Sequence, residues 1–337
     1  MPVYITIALA LVPSLLLVRY FQLRDIYPEP SRQIWTTFIL GALTVVPILL
    51  ITLPMLAIFP MPEHPVVRGT ALAFLFAAIP EEFFKLAVLA GYSMRRRAFD
   101  EPMDGIVYGA VVGQGFAAFE NAMYSVSGGV GIAVARAFTA VPAHACMGVI
   151  MGHYIGLARF DAKNRTRLIA KGFFFAVLVH GLYDAPLLTL QSLVAQTGEL
   201  AAEDESFSGL LVTGAFLVLA ISIRWAHRLA KAARRAQREL RVPPPIPEQA
   251  VSMLRSPERA IGTATLWWGA LLAVAGGVIT AGGIRILLLA DAAPRTLAFM
   301  IAAVVVAGVV PLVSGLTLFT NGVRRLNRAA SAQAPIT

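Results

Sequence analysis

The chain has 337 residues, of which 58% are hydrophobic and 14% charged, with a mean hydropathy of +0.72. That composition excludes an ordinary soluble enzyme and indicates an all-α polytopic membrane protein. The net charge of +9 suggests nucleic acid at first sight, but the basic residues sort by loop, which sets that partner aside.

Nine spans are predicted, at about 3–18, 34–58, 66–92, 105–126, 131–158, 168–191, 209–226, 263–284 and 296–319. The first apolar stretch has no basic residues before it and its positive charge follows it, so a retained helix with its N-terminus outside is expected over a cleaved signal peptide. With that orientation, 23 Lys and Arg fall in inside segments against four outside, Arg68, Arg136, Arg285 and Arg295. The bias predicts a multi-pass protein of the cell membrane with a cytoplasmic C-terminus. The lone Cys146 lies in a span, so no intramolecular disulfide is possible.

Arg24 to Pro30 reads as a proline-stiffened turn after the first span. The third span holds Ile79-Pro80-Glu81-Glu82-Phe83-Phe84-Lys85-Leu86 near its middle. Two adjacent carboxylates at that depth are costly and usually functional. Neighbours on a helix point about 100° apart, so Glu81 and Glu82 should look at different sectors. Lys85, one turn after Glu81, is placed to neutralise it. A structural ion pair holding helices in register would account for Glu81 and Lys85 but not for Glu82.

The fourth span carries Gly105, Gly109 and Gly113, a small-residue stripe that permits close helix approach, then Phe116, Glu120, Asn121 and Tyr124. In the fifth, Pro142 is expected to kink the helix. His144 heads a face continued by Gly148, Gly152 and Gly156, whereas His153 lies about 180° around and is expected to be interfacial. The sixth holds His180 and Asp184, one turn apart, the spacing at which a carboxylate fixes an imidazole tautomer or shares a metal. A lone histidine in a span is usually a satisfied core residue, so His144 and His180 gain meaning from their company. By depth, Glu81, Glu82, Glu120, His144, His180 and Asp184 share one layer, just outside the midplane, on four consecutive spans.

Three readings fit such a layer: hydrolysis within the bilayer, an ion- or proton-coupled transporter or channel, and mere helix glue. Transport requires polar residues across both membrane halves. Here the cytoplasmic halves of the motif spans are glycine-seamed and apolar, which favours hydrolysis.

The motifs resemble the PrsW family of intramembrane endopeptidases, related to the CAAX prenyl endopeptidase (Abi) superfamily. The matching residues are the EExxK run Glu81-Glu82-Phe83-Phe84-Lys85, the stretch Phe116 to Asn121 with Tyr124, His144 to Gly148, and His180 to Asp184. Pro28-Glu29-Pro30 also looks like the loop after that family's first helix. The CAAX branch has EExxxR and a histidine on the second motif helix. Here Leu86 and Glu120 stand at those places, so that branch's role assignments do not transfer unaltered. The resemblance covers about residues 1–190.

The resemblance implies an endopeptidase that cuts a membrane-spanning protein, in the best-known branch an anti-sigma factor. A carboxylate of Glu81 or Glu82 would activate water. His144 and His180, with Glu120, would bind a divalent metal such as zinc or stabilise the oxyanion, with Asp184 behind them. A metal-free glutamate mechanism stays open, since the motifs lack the HExxH spacing.

The expected organisation is a protease core at 1–195 and a middle region at 196–262. Two further spans and a tail follow at 263–337. The middle region combines an acidic outside loop, the seventh span, a basic helix suited to anionic headgroups and a Pro-rich linker.

Overall fold

The computed structural model describes residues 3–197 and 205–239, with further helical positions at 273, 277, 280, 313, 316, 317 and 319–324. Every regular element among the described residues is helical. They are α1 (Val3–Arg24), α2 (Ser31–Leu43), α3 (Val45–Ile58), α4 (Pro65–Ala71) and a π-helical segment (Leu72–Ala78). After these come α5 (Ile79–Gly91), a 3-10 turn (Ser93–Arg95), α6 (Pro102–Phe138), α7 (Ala140–Phe160), α8 (Arg165–Thr197) and α9 (Glu205–Glu239). The expected spans at 263–284 and 296–319 and the Pro-rich linker lie outside the described residues, apart from the scattered helical positions.

Five helical stretches are long and apolar enough to cross a membrane: Thr6–Arg24, Ser31–Ile58, Pro102–Phe160, Arg165–Gln196 and Ser206–Glu239. Large apolar side chains such as Leu16, Ile39, Phe174, Leu210 and Leu217 stand exposed on their outer faces. In water that would be a liability; in hydrocarbon it is the expected exterior.

The chain forms two compact units, one of residues 1–48 with 62–247 and one of 49–61 with 248–337. In the first, α6 is the central rod. From Met103 to Ala118 it is buried on every side, packed by α1, α2, α5, α7 and α9. Glycine makes its tightest contact possible. A Cβ on Gly105 would overlap the Gly152 carbonyl, one on Gly109 the Gly148 carbonyl, and one on Gly113 the His144 carbonyl. The descending partner numbers show that α6 and α7 run antiparallel. The two predicted glycine stripes are therefore the two sides of one seam, and His144 sits at its end.

Two boundaries differ from the sequence reading. Gly129 has φ +72°, a left-handed conformation that only glycine adopts readily, and it breaks α6. Thr139 then has a non-helical backbone (φ −122°, ψ −79°), so the helix carrying His144 starts at Ala140 and not near 131. Pro142 consequently falls in the first turn of α7, where a missing N–H breaks no helical bond, and it kinks nothing.

The third predicted span is irregular for a reason visible in its sequence. Pro80 cannot donate to the carbonyl four residues back. The preceding turns widen to a π-helix, with the Ile79 N–H bonded to the Phe74 carbonyl five residues away. α8 packs closely on this region: a Cβ on Gly69 would overlap Thr189, and one on Gly181 would overlap the Phe74 ring.

The seam yields a stability prediction. Gly109→Ala and Gly148→Ala should each destabilise the purified protein by about 1–3 kcal/mol through overpacking. Gly131→Ala, with open space around it, should be near neutral in the same thermal unfolding assay.

Candidate active site

The widened turn and α5 deliver Glu81, Glu82 and Lys85 to the bundle interior. Glu82 and Lys85 are 0% and 1% exposed, whereas Glu81 keeps 8%. The Lys85 ammonium lies 2.8 Å from Glu82 Oε1, 3.4 Å from Glu81 Oε2 and 3.2 Å from His144 Nδ1. It also sits 3.9 Å above the Phe116 ring, a cation–π contact. Lys85 was expected to serve Glu81, but Glu82 is its nearer partner. Although the two carboxylates leave the helix in different directions, their side chains converge on the same ammonium.

Because an ammonium can only donate, His144 Nδ1 must present its lone pair. Its Nε2–H then donates to Glu120 Oε2 at 3.0 Å. His144 is thereby held in one neutral tautomer, between α5 and α6, with its ring edge against Phe116. His180 differs. Its Nδ1 faces Glu82 Oε1 at 2.9 Å and its Nε2 faces Asp184 Oδ2 at 3.0 Å, with Glu81 Oε2 at 3.7 Å. Carboxylates on both nitrogens suit an imidazolium, with Nδ1 and Nε2 both donating. The two imidazole rings stand edge to face at 5.3 Å.

All six residues singled out in the sequence therefore join one network. His153 does not; it lies against Tyr154, away from the cluster. The structure adds Arg136, which the sequence reading only counted among the basic residues on the outside. After the turn at Gly129 the chain doubles back, and Arg136 Nη2 pairs with Glu120 Oε2 at 2.6 Å while its guanidinium covers the Tyr124 ring. The available signal was a glycine pair, Gly128-Gly129, midway between Glu120 and Arg136.

Ligand atoms of Glu81, Glu82, His144 and His180 all lie within 4.8 Å of one another. Two carboxylates and two imidazoles form a donor set suited to zinc. Glu82 Oε2 is buried without a hydrogen-bond partner, as a waiting ligand atom would be. These residues fit a divalent metal, with one constraint: the Lys85 ammonium already contacts three of the four and must share or yield its place. Glu120 lies outside this ligand group and reaches it through His144.

The PrsW family model, described as an intramembrane metalloprotease, matches residues 29–222. Among curated relatives, Protease PrsW of Geobacillus kaustophilus is 40% identical over 183 residues, covering 54% of this chain and 79% of that protein. Protease PrsW of Bacillus subtilis is 37% identical over 189 residues, covering 55% and 84% respectively. The namesake from Clostridioides difficile is 30% identical over 192 residues, covering 53% and 78%. No solved structure matches the chain. The transporter reading gives way, and the chain belongs to the PrsW family: it is an intramembrane protease, a hydrolase of peptide bonds acting on membrane-embedded substrates.

Proposed function

We propose that Glu81 is the general base, acting from a site inside the helix bundle, and that Glu82 anchors the network around it. The observation that carries this is the unequal setting of the pair. Glu82 is wholly enclosed and held by Lys85 and His180 at 2.8 and 2.9 Å. Glu81 keeps some access and has looser partners at 3.4 and 3.7 Å. A base must reach water and move its proton, which suits Glu81.

His144 and His180 are then the groups that meet the scissile carbonyl. His180 would stabilise the developing oxyanion by turning one N–H to it from a carboxylate, and Asp184 and Glu82 are the partners that fix its ring. Glu120, tethered by Arg136, fixes the tautomer of His144. With one His180 nitrogen deprotonated, Glu81, Glu82, His144 and His180 would hold a zinc-like ion, which when bound would polarise the carbonyl and lower the pKa of water. Glu120 is kept as an alternative ligand beside His144.

The reading extends to the whole chain. Nine spans divide into a protease core at 1–195, a middle region at 196–262 and a C-terminal pair of spans at 263–337, with the N-terminus outside and the C-terminus cytoplasmic. The substrate is a membrane-spanning protein, of the anti-sigma-factor type by analogy with the best-known branch. α9 supports contact with anionic headgroups. Its 35 residues rise about 52 Å, well beyond a hydrocarbon core of about 30 Å. Its basic end lines a cavity of about 620 Å³ with Arg24, Lys231, Arg234, Arg235 and Arg238 beside Tyr20 and Phe21.

Purified protein incubated with single-span candidate substrates tests the chemistry. Glu81→Gln, His144→Ala and His180→Ala should each abolish cleavage while leaving a folded, inserted protein, and His153→Ala should be tolerated. Full activity of Glu81→Gln would remove Glu81 from the role of base. Zinc bound at this site should fall in His144→Ala/His180→Ala, and chelation followed by zinc add-back should abolish and restore cleavage. Full cleavage by zinc-free protein would leave the glutamate mechanism in its place.

Lys85→Met should cost stability as well as activity, by about 3–5 kcal/mol, because it leaves buried carboxylates without their counter-charge. Equal unfolding temperatures for this variant and wild type would contradict the hub role of Lys85. For topology, in a Cys146→Ala background, cysteines at Glu63, Ser127 and Glu203 should label from outside intact cells. Those at Ala98 and Asn164 should not, and outside labelling at Asn164 would contradict the orientation.

A further inference from the structure

A second buried acidic cluster lies at the start of α6, about 24 Å along that helix from Glu120. Part of it has an ordinary purpose. Glu101 and Asp104 form a reciprocal capping box, and Asp104 Oδ2 accepts the Asp100 and Glu101 N–H groups at 2.7 and 2.8 Å. Capping does not explain what meets it. From the α1–α2 loop come Asp25 and Glu29, whose ligand oxygens lie within 4.8 Å of each other and of Asp104. Asp25, Glu29, Glu101 and Asp104 are 6%, 8%, 1% and 0% exposed.

Among the described residues, none of the four is in an ion pair. Arg159, the nearby cation on α7, donates instead to the Phe99 carbonyl. In the membrane site, by contrast, Lys85 and Arg136 stand among the carboxylates.

An independent observation comes from α9. The Gln237 amide nitrogen donates to Asp25 Oδ1 at 2.7 Å and to Glu101. This fixes the amide head in the cluster, and Gln237 Oε1 is left buried with no donor, on a residue 2% exposed. Asp25 Oδ2, Glu101 Oε2 and Asp104 Oδ1 are likewise buried without partners. Asp104 and Glu29 also lie within hydrogen-bond reach of each other, and a proton shared between them would leave Asp25 Oδ2, Glu101 Oε2 and Gln237 Oε1 still without donors. Glu29 is held in place by the Tyr108 hydroxyl, which also lies 2.8 Å from the Gln33 amide oxygen.

We propose that Asp25, Glu29 and Asp104, with Glu101 and Gln237 around them, bind one hard divalent cation, Mg²⁺ or Ca²⁺. The donors are all oxygen, with neither histidine nor thiol, the set that such ions prefer over zinc. The ion ties the α1–α2 loop, the start of α6 and the end of α9 together, and it is separate from the protease site.

The test uses the full chain, purified, chelator-treated and re-equilibrated with Mg²⁺, Ca²⁺ or Na⁺ alone. One Mg²⁺ or Ca²⁺ per chain should be recovered, and the unfolding temperature should rise by roughly 4 °C or more at saturating cation. His144→Ala/His180→Ala should keep both effects, which separates this site from any zinc at the protease centre. Asp104→Asn should lose both. If loss of the capping box prevents that variant from folding, Asp25→Asn, outside the box, should lose both. Two results would overturn the proposal: wild-type stability indifferent to both cations, or Glu29→Gln/Asp104→Asn gaining stability with no cation dependence, which is the behaviour of carboxyls sharing protons.

Discussion

The candidate active site depends on one ammonium group. Lys85 is 1% exposed and touches Glu81, Glu82, His144 and the Phe116 ring. Without a cation there, two adjacent carboxylates inside a helix bundle would be prohibitively costly to ionise. With it, both carboxylates have a counter-charge within reach, and the same contact dictates which nitrogen of His144 carries the proton. Charge compensation and tautomer selection, usually separate tasks, are performed here by one side chain. This also limits what a metal can do, since any ion bound by Glu81, Glu82 and His144 competes with the cation already among them.

Short side chains explain the glycines. Histidine, aspartate and glutamate can interlink across four helices only if the backbones come close. The α6–α7 seam of Gly105, Gly109, Gly148 and Gly152 and the contact of Gly181 with Phe74 provide that approach. His144 ends the first seam and His180 precedes Gly181. The packing device and the chemistry are thus adjacent in the chain, and a Cβ added to the device would move the chemistry.

Much of this was legible in the sequence because desolvation is so costly in a membrane. Glu81, Glu82, Glu120, His144, His180 and Asp184 stood out against apolar spans at matching depth, and the structure links all six. Glycines at four-residue spacing likewise announced helix contacts, though not that the two stripes face each other. Features governed by backbone geometry were harder to see. Arg136 reaches Glu120 only because Gly129 turns the chain, and the same turn moves the start of α7 to Ala140. The widened turn before Pro80 follows from a missing N–H that hydropathy cannot register. Hydropathy was silent too on Asp25, Glu29 and Asp104, which look like unremarkable loop and helix-start acids until folding buries them together.

α6 joins two solutions to the same electrostatic problem. At Glu120 the buried negative charge is met by protein cations, Arg136 directly and Lys85 through His144. At Asp104 it is met by backbone N–H groups and an amide, with buried oxygens left over. Protein cations are permanent, so the first arrangement is a fixed electrostatic frame, as a catalytic centre needs. Carboxylates with spare lone pairs make the second responsive to whatever cation the surrounding water supplies. Because both lie on one rigid helix, ion occupancy at the Asp104 end would bias how firmly the rod bearing Glu120 is held.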